Sequence, residues 1–397
     1  MEKKKFIKLL QRFVGPMIIG AVLALLNIWL VDNNYMEDIS IIRGLYTFSS
    51  NFIGFLKWFA PFMSVVLIAS GIREIRGEVL KFLGKFTVVL VSTLLLVGVL
   101  AIGLSKVIVP LFVVPIEYAD SPWPATYFDI HFFEYFDVFT AIIIGIVIGL
   151  IAQRSELVNK VLLKCEKFVA WVVKYVIISC SPIWIMGSFA ASTYSSHGLS
   201  IVWFDLWLSL IILVTQFLWL GLMYFVLAKY SGVSFEKICR AAGRIYVIVV
   251  SMAGMTNSAI YPFLLDEQKD LGLNQDKAKF VTVSSFNMPG SLISHIVFAY
   301  GISLLFGMPI AFLPMLKYTV VLTFVLIVSP AISGGVFAIT SSLLSPMLSF
   351  TDPMIALMSS MYFKQGTSNA AVNNCGDFYL TGLSMSKKEY EKESVAK

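Results

Sequence analysis

Long apolar runs separated by short charged segments fill the first 230 residues of the chain. A helix that crosses a bilayer needs about 20 predominantly apolar residues. On that basis the pattern predicts six transmembrane helices. Spans 1, 2 and 4 fall at about 13–31, 45–72 and 138–152. Spans 3, 5 and 6 end near residues 109, 192 and 229.

The remainder of the chain is apolar but repeatedly interrupted. The stretch 245–265 is broken by Gly254–Ser258 and Pro262, and each of its arms is too short to span, which predicts a hairpin that enters from the cytoplasm and returns. The stretch 316–350 is broken at Ser329–Pro330 and at Gly334–Gly335, which predicts a second hairpin that enters from outside. A seventh span is predicted at 278–306, broken near 287–290, and an eighth at 352–383.

Two hairpins from opposite faces, each followed by a span, form an inverted repeat. Secondary transporters with such repeats place their solute and ion sites near the midplane, at the broken helices. The predicted fold class is therefore an all-α polytopic membrane protein with eight transmembrane helices, two re-entrant helical hairpins and inverted repeats. A transmembrane barrel would instead show short segments of alternating polarity.

Composition supports this class, since 58% of the 397 residues are hydrophobic and 14% are charged. Soluble domains carry nearer a quarter of charged residues. The net charge of +6 lies in short loops, which does not indicate nucleic-acid binding. Basic residues alternate with acidic ones from loop to loop, so both termini are predicted to be cytoplasmic, in a plasma-membrane protein without a cleavable signal peptide. The predicted cytoplasmic loops carry Arg73, Arg76, Lys81, Lys85, Arg154, Lys160, Lys164, Lys167, Lys237, Arg240 and Arg244.

Polar residues in the interrupted segments are the candidate site, because polar groups inside a membrane usually mark a solute or ion path. Asp377 lies one helical turn from Asn373, and together with Asn287 these residues are predicted to bind a monovalent cation. Free N–H groups at the first hairpin tip are expected to attract a solute carboxylate. The predicted solute contacts are Thr256, Asn257, Ser258, Ser291, Gly334, Thr367, Asn369 and Asn373.

Two further residues leave alternatives open. Lys364 could pair with a solute carboxylate, occupy a vacated cation site or extend towards water. His295 could relay a proton, but a hydrogen-bonded structural role is favoured. The four cysteines show no metal-binding spacing, and no organic cofactor is expected.

Four ordered motifs resemble the dicarboxylate/amino acid:cation symporters, the glutamate-transporter homologues. Met255–Ala259 stands where that family has a serine-rich hairpin tip, and Asn287–Ser291 resembles Asn-Met-Asp-Gly-Thr. Ser329–Gly335 resembles the second hairpin, and Val372–Asp377 resembles Val-Asn-Val-Thr-Gly-Asp. The resemblance extends over nearly the whole chain.

The resemblance implies a homotrimer in which some spans form a scaffold and the others a mobile transport unit. It divides the chain into residues 1–237 (six spans, of which spans 3 and 6 join the transport unit), 238–383 (transport core) and 384–397 (cytoplasmic tail). It also implies that Ser92 and Thr93 contribute to a further cation site. Pro289, however, stands where the family has the Asp of that site.

Acidic-amino-acid members of the family carry an Asp and an Arg in span 8 where this chain has Gly366 and Asn369. The expected function is therefore Na⁺- or H⁺-coupled symport of a small amino acid or carboxylate by an elevator-type mechanism, without the family's usual acidic selectivity. An uncoupled carrier or anion channel of the same fold is the alternative. An enzyme is not expected, since no GxSxG, HExxH or nucleophile–base spacing occurs.

Overall fold

The chain is helical throughout the part that the structure describes. The computed structural model describes residues 15–16, 18–30, 40–74, 80–113, 124–133, 138–195, 200–251, 260–284, 286–328, 335–385 and 390, and no strand occurs among them. The helices are α1 (Ile18–Leu30), α2 (Ser40–Glu74), α3 (Leu80–Phe112), α4 (Val138–Ala152), α5 (Glu156–Val172), α6 (Ile178–Ser195), α7 (Ser200–Ser231), α8 (Phe235–Ser251), α9 (Tyr261–Asp270), α10 (Gln275–Ser284), α11 (Pro289–Leu305), α12 (Phe312–Val328), α13 (Gly335–Leu348) and α14 (Asp352–Ser384).

Length and composition qualify two of the described helices as membrane spans on their own, Gly84–Phe112 within α3 and Ile201–Ser231 within α7. A third span results if α5 and α6 are taken as one bent helix, with an angle of 53° between Glu156–Ile177 and Pro182–Ala191. Five shorter apolar helices accompany them. Many large apolar side chains of α1, α3, α4, α7 and α12 are exposed, as expected for helices that face lipid.

The helix ends agree with the interruptions predicted from the sequence. α10 ends at Ser284 and α11 begins at Pro289, so the described chain leaves the helical conformation at 286–288. Pro289 has no N–H and a fixed φ, which suits the first position of a helix. α12 ends at Val328, just before the predicted break at Ser329–Pro330, and α13 begins at Gly335, which the prediction had placed in the second break. α14 covers the predicted eighth span.

The prediction of a loop after span 4 is wrong in one respect. Lys160, Lys164 and Lys167 lie on the helix α5, which begins at Glu156, two residues after Arg154. Glu156, Lys160, Lys164 and Lys167 share a face opposite the buried Leu162, Val169 and Val172, so this segment is an amphipathic helix rather than a loop. A π-helical turn follows it at Val173–Ile177.

The described helices pack in two groups. α2 packs against α4, α5 and α6, whereas α11 and α14 pack against each other and against α3 and α7. The groups meet where α13 lies against α2 and where α14 lies against α6.

The helix ends that were predicted to share a membrane side lie together. Lys85 at the start of α3 donates a hydrogen bond to the Tyr230 hydroxyl near the end of α7, over 2.9 Å, and both side chains bond the carbonyl of Met385 just after α14. At the other side, the segment 124–133 packs on α2, where Asn51 Nδ2 donates to the Phe128 carbonyl over 3.0 Å.

A close approach between α2 and α6 provides a test of the fold. A Cβ at Gly187 would overlap the carbonyl of Leu45. We expect Gly187→Ala to lower stability by about 1–3 kcal/mol through overpacking. Gly103→Ala is the control, since a Cβ there meets no atom within 4 Å and alanine is the better helix former by about 1 kcal/mol. Equal thermal unfolding of Gly187→Ala and wild type in detergent would contradict this packing.

Candidate functional site

Side chains from two other helices satisfy the backbone at the start of α11. The N–H of Gly290 donates to Asn373 Oδ1 on α14 over 2.9 Å, and its carbonyl accepts from Gln216 Nε2 on α7 over 3.2 Å. Asn373 Nδ2 also donates to Ser291 Oγ over 3.2 Å. The first turn of a helix has N–H groups without intrahelical partners, so Asn373 acts as a cap supplied by a neighbouring helix.

The close contact between α11 and α14 requires a glycine at position 290. A Cβ there would lie 2.8 Å from the carbonyl oxygen of Asn369 and 3.0 Å from its Cα. Because these are backbone atoms inside a helix, they cannot move aside. Gly290 therefore lets the broken end of α11 rest directly on the middle of α14.

Asn369 is the centre of a polar network that joins three helices. Its Oδ1 accepts hydrogen bonds from Gln216 Nε2 on α7, over 2.8 Å, and from Ser294 Oγ on α11, over 2.6 Å. Ser368 Oγ donates to Gln216 Oε1 over 2.8 Å. Asn369 is only 2% exposed, and its Nδ2 has no hydrogen-bond partner of acceptable geometry among the described residues.

Asp377 is a buried carboxylate one turn beyond Asn373 on α14. Its carboxyl group lies near the side chain of Asn287, in the non-helical segment before α11, whose Nδ2 makes no hydrogen bond of acceptable geometry with a described residue. Asn287 Oδ1 accepts from the Tyr379 hydroxyl over 3.3 Å, and that hydroxyl accepts from Trp219 Nε1 over 3.2 Å. Gly376 leaves room for this amide, since a Cβ there would overlap it.

Lys364 is paired within the protein. Its Nζ forms a salt bridge with Asp205 Oδ2 on α7 and donates to Ser209 Oγ over 2.7 Å. The side chains of Lys364 and Asp205 are 14% and 7% exposed, so the pair lies inside the helical bundle. The predicted roles that need a free Lys364 are not supported by this geometry.

His295 is fully buried and hydrogen-bonded at both nitrogens. Nδ1 lies 2.8 Å from the Ser291 carbonyl, and Nε2 lies 2.6 Å from Thr340 Oγ1 on α13. A carbonyl only accepts, so Nδ1 carries the proton. The Thr340 hydroxyl also lies 2.9 Å from the Val336 carbonyl of its own helix. This is the arrangement of the structural histidine that the sequence favoured, and it ties α11 to α13.

The structure brings together one part of the predicted site. Ser291, Asn369 and Asn373 lie at the α11–α14 contact, Asn287 and Asp377 lie beside it, and Thr367 is half-buried on α14. On α3, Thr93 is buried and bonds the carbonyls of its own helix, whereas Ser92 is exposed. Thr256, Asn257, Ser258 and Gly334 lie outside the described residues.

Sequence reasoning missed Gln216 and Asp205. Both stand in the apolar run of α7, and polar residues there were a usable indication, because such residues face the bundle interior and find partners. Their partners, Asn369 and Lys364, depend on how α7 and α14 pack, which the pattern of one helix does not show.

A bundle of apolar helices with a broken helix, neutral amides and a buried carboxylate is typical of membrane transporters of small solutes. The model of the sodium:dicarboxylate symporter family matches residues 137–386, more than half of the chain, and the chain belongs to this family. The family consists of cation-coupled symporters, so the protein is a transporter and not an enzyme. A search of the curated proteins finds no match to this chain.

The Lys364–Asp205 pair yields a prediction on stability. Removing one partner leaves a buried charge unpaired, so Lys364→Met should destabilise by about 3–5 kcal/mol. The double variant Lys364→Met/Asp205→Leu should recover most of that loss, because no buried charge remains. Lys160→Met, at an exposed ion pair with Glu156, should change stability by less than about 1 kcal/mol. Thermal unfolding checks this, and additive losses in the double variant would contradict it.

Proposed function

We propose that the protein couples uptake of a small solute to a monovalent cation that binds between Asp377 and Asn287. The observation that carries the proposal is the burial of Asp377, which is 4% exposed and forms no ion pair with any described residue. An isolated buried carboxylate is costly, and proteins compensate it with a cation or by protonation. In either case, binding of Na⁺ or H⁺ at Asp377 depends on the concentration of that cation, so the gradient of the cation can drive transport.

The neighbouring groups favour Na⁺ over a divalent metal. The described residues contain no group of three His, Cys, Asp or Glu side chains placed to hold a metal ion. One carboxylate with amide and backbone oxygens carries a single negative charge, which matches Na⁺. Asn287 Oδ1 and Asn373 Oδ1 each keep a lone pair beyond the hydrogen bond that they accept. Thr93 and Ser92 are proposed to contribute to a second cation site.

The solute is proposed to bind on the neighbouring wall of the same helices. Ser291 lies at the start of α11, and Asn369 lies one turn before Asn373 on α14. Thr367 lies on the same segment of α14, and Thr256, Asn257, Ser258 and Gly334 of the hairpin tips are proposed to cover the site from its two sides. Cation and solute would then share Asn373 and the first turn of α11.

This shared backbone gives a physical reason for coupling. A cation held by Asn287 and Asp377 orders the non-helical segment before α11. The ordered segment in turn fixes the position of Gly290 and Ser291, which the solute would contact. Each ligand therefore raises the affinity for the other by an equal factor.

Transport is proposed to follow an elevator-type movement. Polar contacts join α7, α11 and α14 into one body, and α3 packs against α11. α2, α4, α5 and α6 form the second packed group and are proposed as the scaffold, within a homotrimer. Movement of the first group against the second would carry the site across the membrane.

Sodium alone tests the cation site. In detergent, 150 mM NaCl should raise the unfolding temperature above that in 150 mM choline chloride, since a ligand that binds only the folded state stabilises it. Asp377→Asn should abolish the difference, and Asp266→Asn, an exposed carboxylate on α9, should preserve it.

An unfolding temperature that is equal in both salts for the wild type would reject Na⁺ at Asp377. A stabilisation by solutes that grows as the pH falls, without a need for sodium, would identify H⁺ as the coupling ion. Equal stabilisation by solutes in all salts and at all pH values would favour the uncoupled carrier.

A further inference from the structure

The helix α5 has three faces rather than the two of an ordinary amphipathic helix. One face is buried in the bundle and another carries the lysines. Between them lies a third face that is apolar but exposed, and its residues are spaced by four and seven positions. These residues, the apolar row, are Leu157, Val161 and Phe168. An exposed apolar row of this kind marks contact with a membrane or with a partner.

The charged face of α5 is basic. Lys164 and Lys167 are exposed and form no ion pair with a described residue, and these two residues are the basic row. Lys160 on the same face is paired with Glu156 over 2.7 Å. Arg154, two residues before the helix, is also exposed. The face therefore carries an excess of positive charge directly beside the apolar row.

Contacts with α2 fix how α5 is turned. Glu166 forms an ion pair with Arg73 near the end of α2, over 3.4 Å, and accepts a hydrogen bond from Ser70 over 3.3 Å. Since only 11% of the Arg73 side chain is exposed, Glu166 faces the protein and does not neutralise the basic row. The basic row lies at the end of α2 for which the sequence predicts the cytoplasmic side.

Aromatic side chains indicate the depth of α5 in the membrane. Phe168, Trp171 and Tyr175 are between 49% and 54% exposed, and their successive ring centroids are 6.4 Å and 6.0 Å apart. Tryptophan and tyrosine concentrate where the bilayer meets water. Trp171 lies one turn from Lys167 and two turns from Lys164, so the basic row is at the level of the lipid headgroups.

The direction of α5 suits a helix in this interface. The axis of Glu156–Ile177 makes an angle of 53° with that of Pro182–Ala191. Pro182 lies at the bend, where a proline removes an intrahelical hydrogen bond. Because of the bend, α6 can cross the bilayer while α5 inclines towards its surface. A helix with basic and apolar exposed faces binds in that position.

The charge on α5 favours anionic lipid over a second copy of the chain as the occupant of its exposed surface. Lysine is depleted in protein–protein interfaces. The cytoplasmic leaflet carries anionic lipids, and each lysine near it strengthens binding about fivefold. The long stems of Lys164 and Lys167 can cover apolar surface while their ammonium groups reach the headgroups.

We propose that α5 is an interfacial helix that binds anionic phospholipids. The basic row contacts the headgroup phosphates, with Arg154 beside it, and the apolar row lies against the acyl chains. Bound lipid stabilises α5 on α2 and thereby the packed group of α2, α4, α5 and α6. This binding needs neither the solute nor the coupling cation.

Thermal unfolding of the purified full-length protein in detergent tests the proposal. The protein is titrated with phosphatidylglycerol or with phosphatidylcholine of the same acyl chains, in choline chloride, so that sodium binding does not contribute. Phosphatidylglycerol should raise the unfolding temperature more than phosphatidylcholine. Lys164→Gln/Lys167→Gln should raise the phosphatidylglycerol concentration for half-maximal stabilisation at least about tenfold, since each lysine contributes about fivefold.

A matched control separates the basic row from positive charge in general. Lys229→Gln/Lys279→Gln removes two exposed lysines from α7 and α10, on the same predicted side of the membrane, and should leave the titration unchanged. Raising choline chloride from about 0.1 M to about 1 M should weaken the binding of phosphatidylglycerol to the wild type, because the screening length falls from about 10 Å to about 3 Å.

Brominated lipid, which quenches tryptophan fluorescence on contact, locates the binding surface. The quenching that is lost in Trp171→Phe measures contact at α5. This loss should be larger for brominated phosphatidylglycerol than for brominated phosphatidylcholine, because the basic row concentrates the anionic lipid beside Trp171. Equal losses for the two lipids would contradict a preference for anionic headgroups at this helix.

Three further outcomes would overturn the proposal. The first is equal stabilisation by the two lipids, or an unchanged titration for Lys164→Gln/Lys167→Gln. The second is the same stabilisation by inorganic phosphate without lipid. The third is a smaller oligomer for Lys164→Gln/Lys167→Gln by light scattering, which would assign the face to a second copy of the chain. None of these results bears on the sodium dependence of the wild type, so the proposed coupling is tested separately.

Discussion

The organisation of the site depends on one constraint, the need to satisfy the backbone where a helix is interrupted inside an apolar bundle. Unpaired N–H and C=O groups cannot be left to lipid. At Gly290 the N–H is satisfied by Asn373 on α14, and the carbonyl, which lies in the first turn of α11, accepts a further hydrogen bond from Gln216 on α7. The start of α11 is therefore held by side chains from two other helices.

This solution places neutral amides at the contact between α11 and α14. Asn369 Oδ1 accepts two hydrogen bonds, from Gln216 and from Ser294. Lys364, the cation nearest along α14, is used to join α14 to α7. The polar groups at this contact are therefore neutral in the part of the chain that the structure describes.

The sequence was a good guide to where helices end and a poor guide to which side chains meet. Pro289 stands at the first position of α11, where its fixed φ and missing N–H suit the start of a helix, so this break could be predicted. The partner of Gln216 could not, because one polar residue in an apolar helix has many possible neighbours. The same reason explains Lys364, whose predicted roles assumed a free ammonium group. For α5 the error was different, because Lys160, Lys164 and Lys167 were assigned to a loop although they share one helix face.

The contacts along α7 and α14 differ in kind from those that α14 makes with α6. Hydrogen bonds link Gln216 to Ser368, and Tyr224 to the Cys375 carbonyl, in matching order along both helices, so a shift by one turn would break them together. Towards α6, Phe363 meets Trp184 edge to face, with 5.0 Å between centroids. A contact between rings is less directional than a hydrogen bond and fixes the register of two helices less strictly. The two sides of α14 therefore differ in how strictly they determine its position along the neighbouring helix.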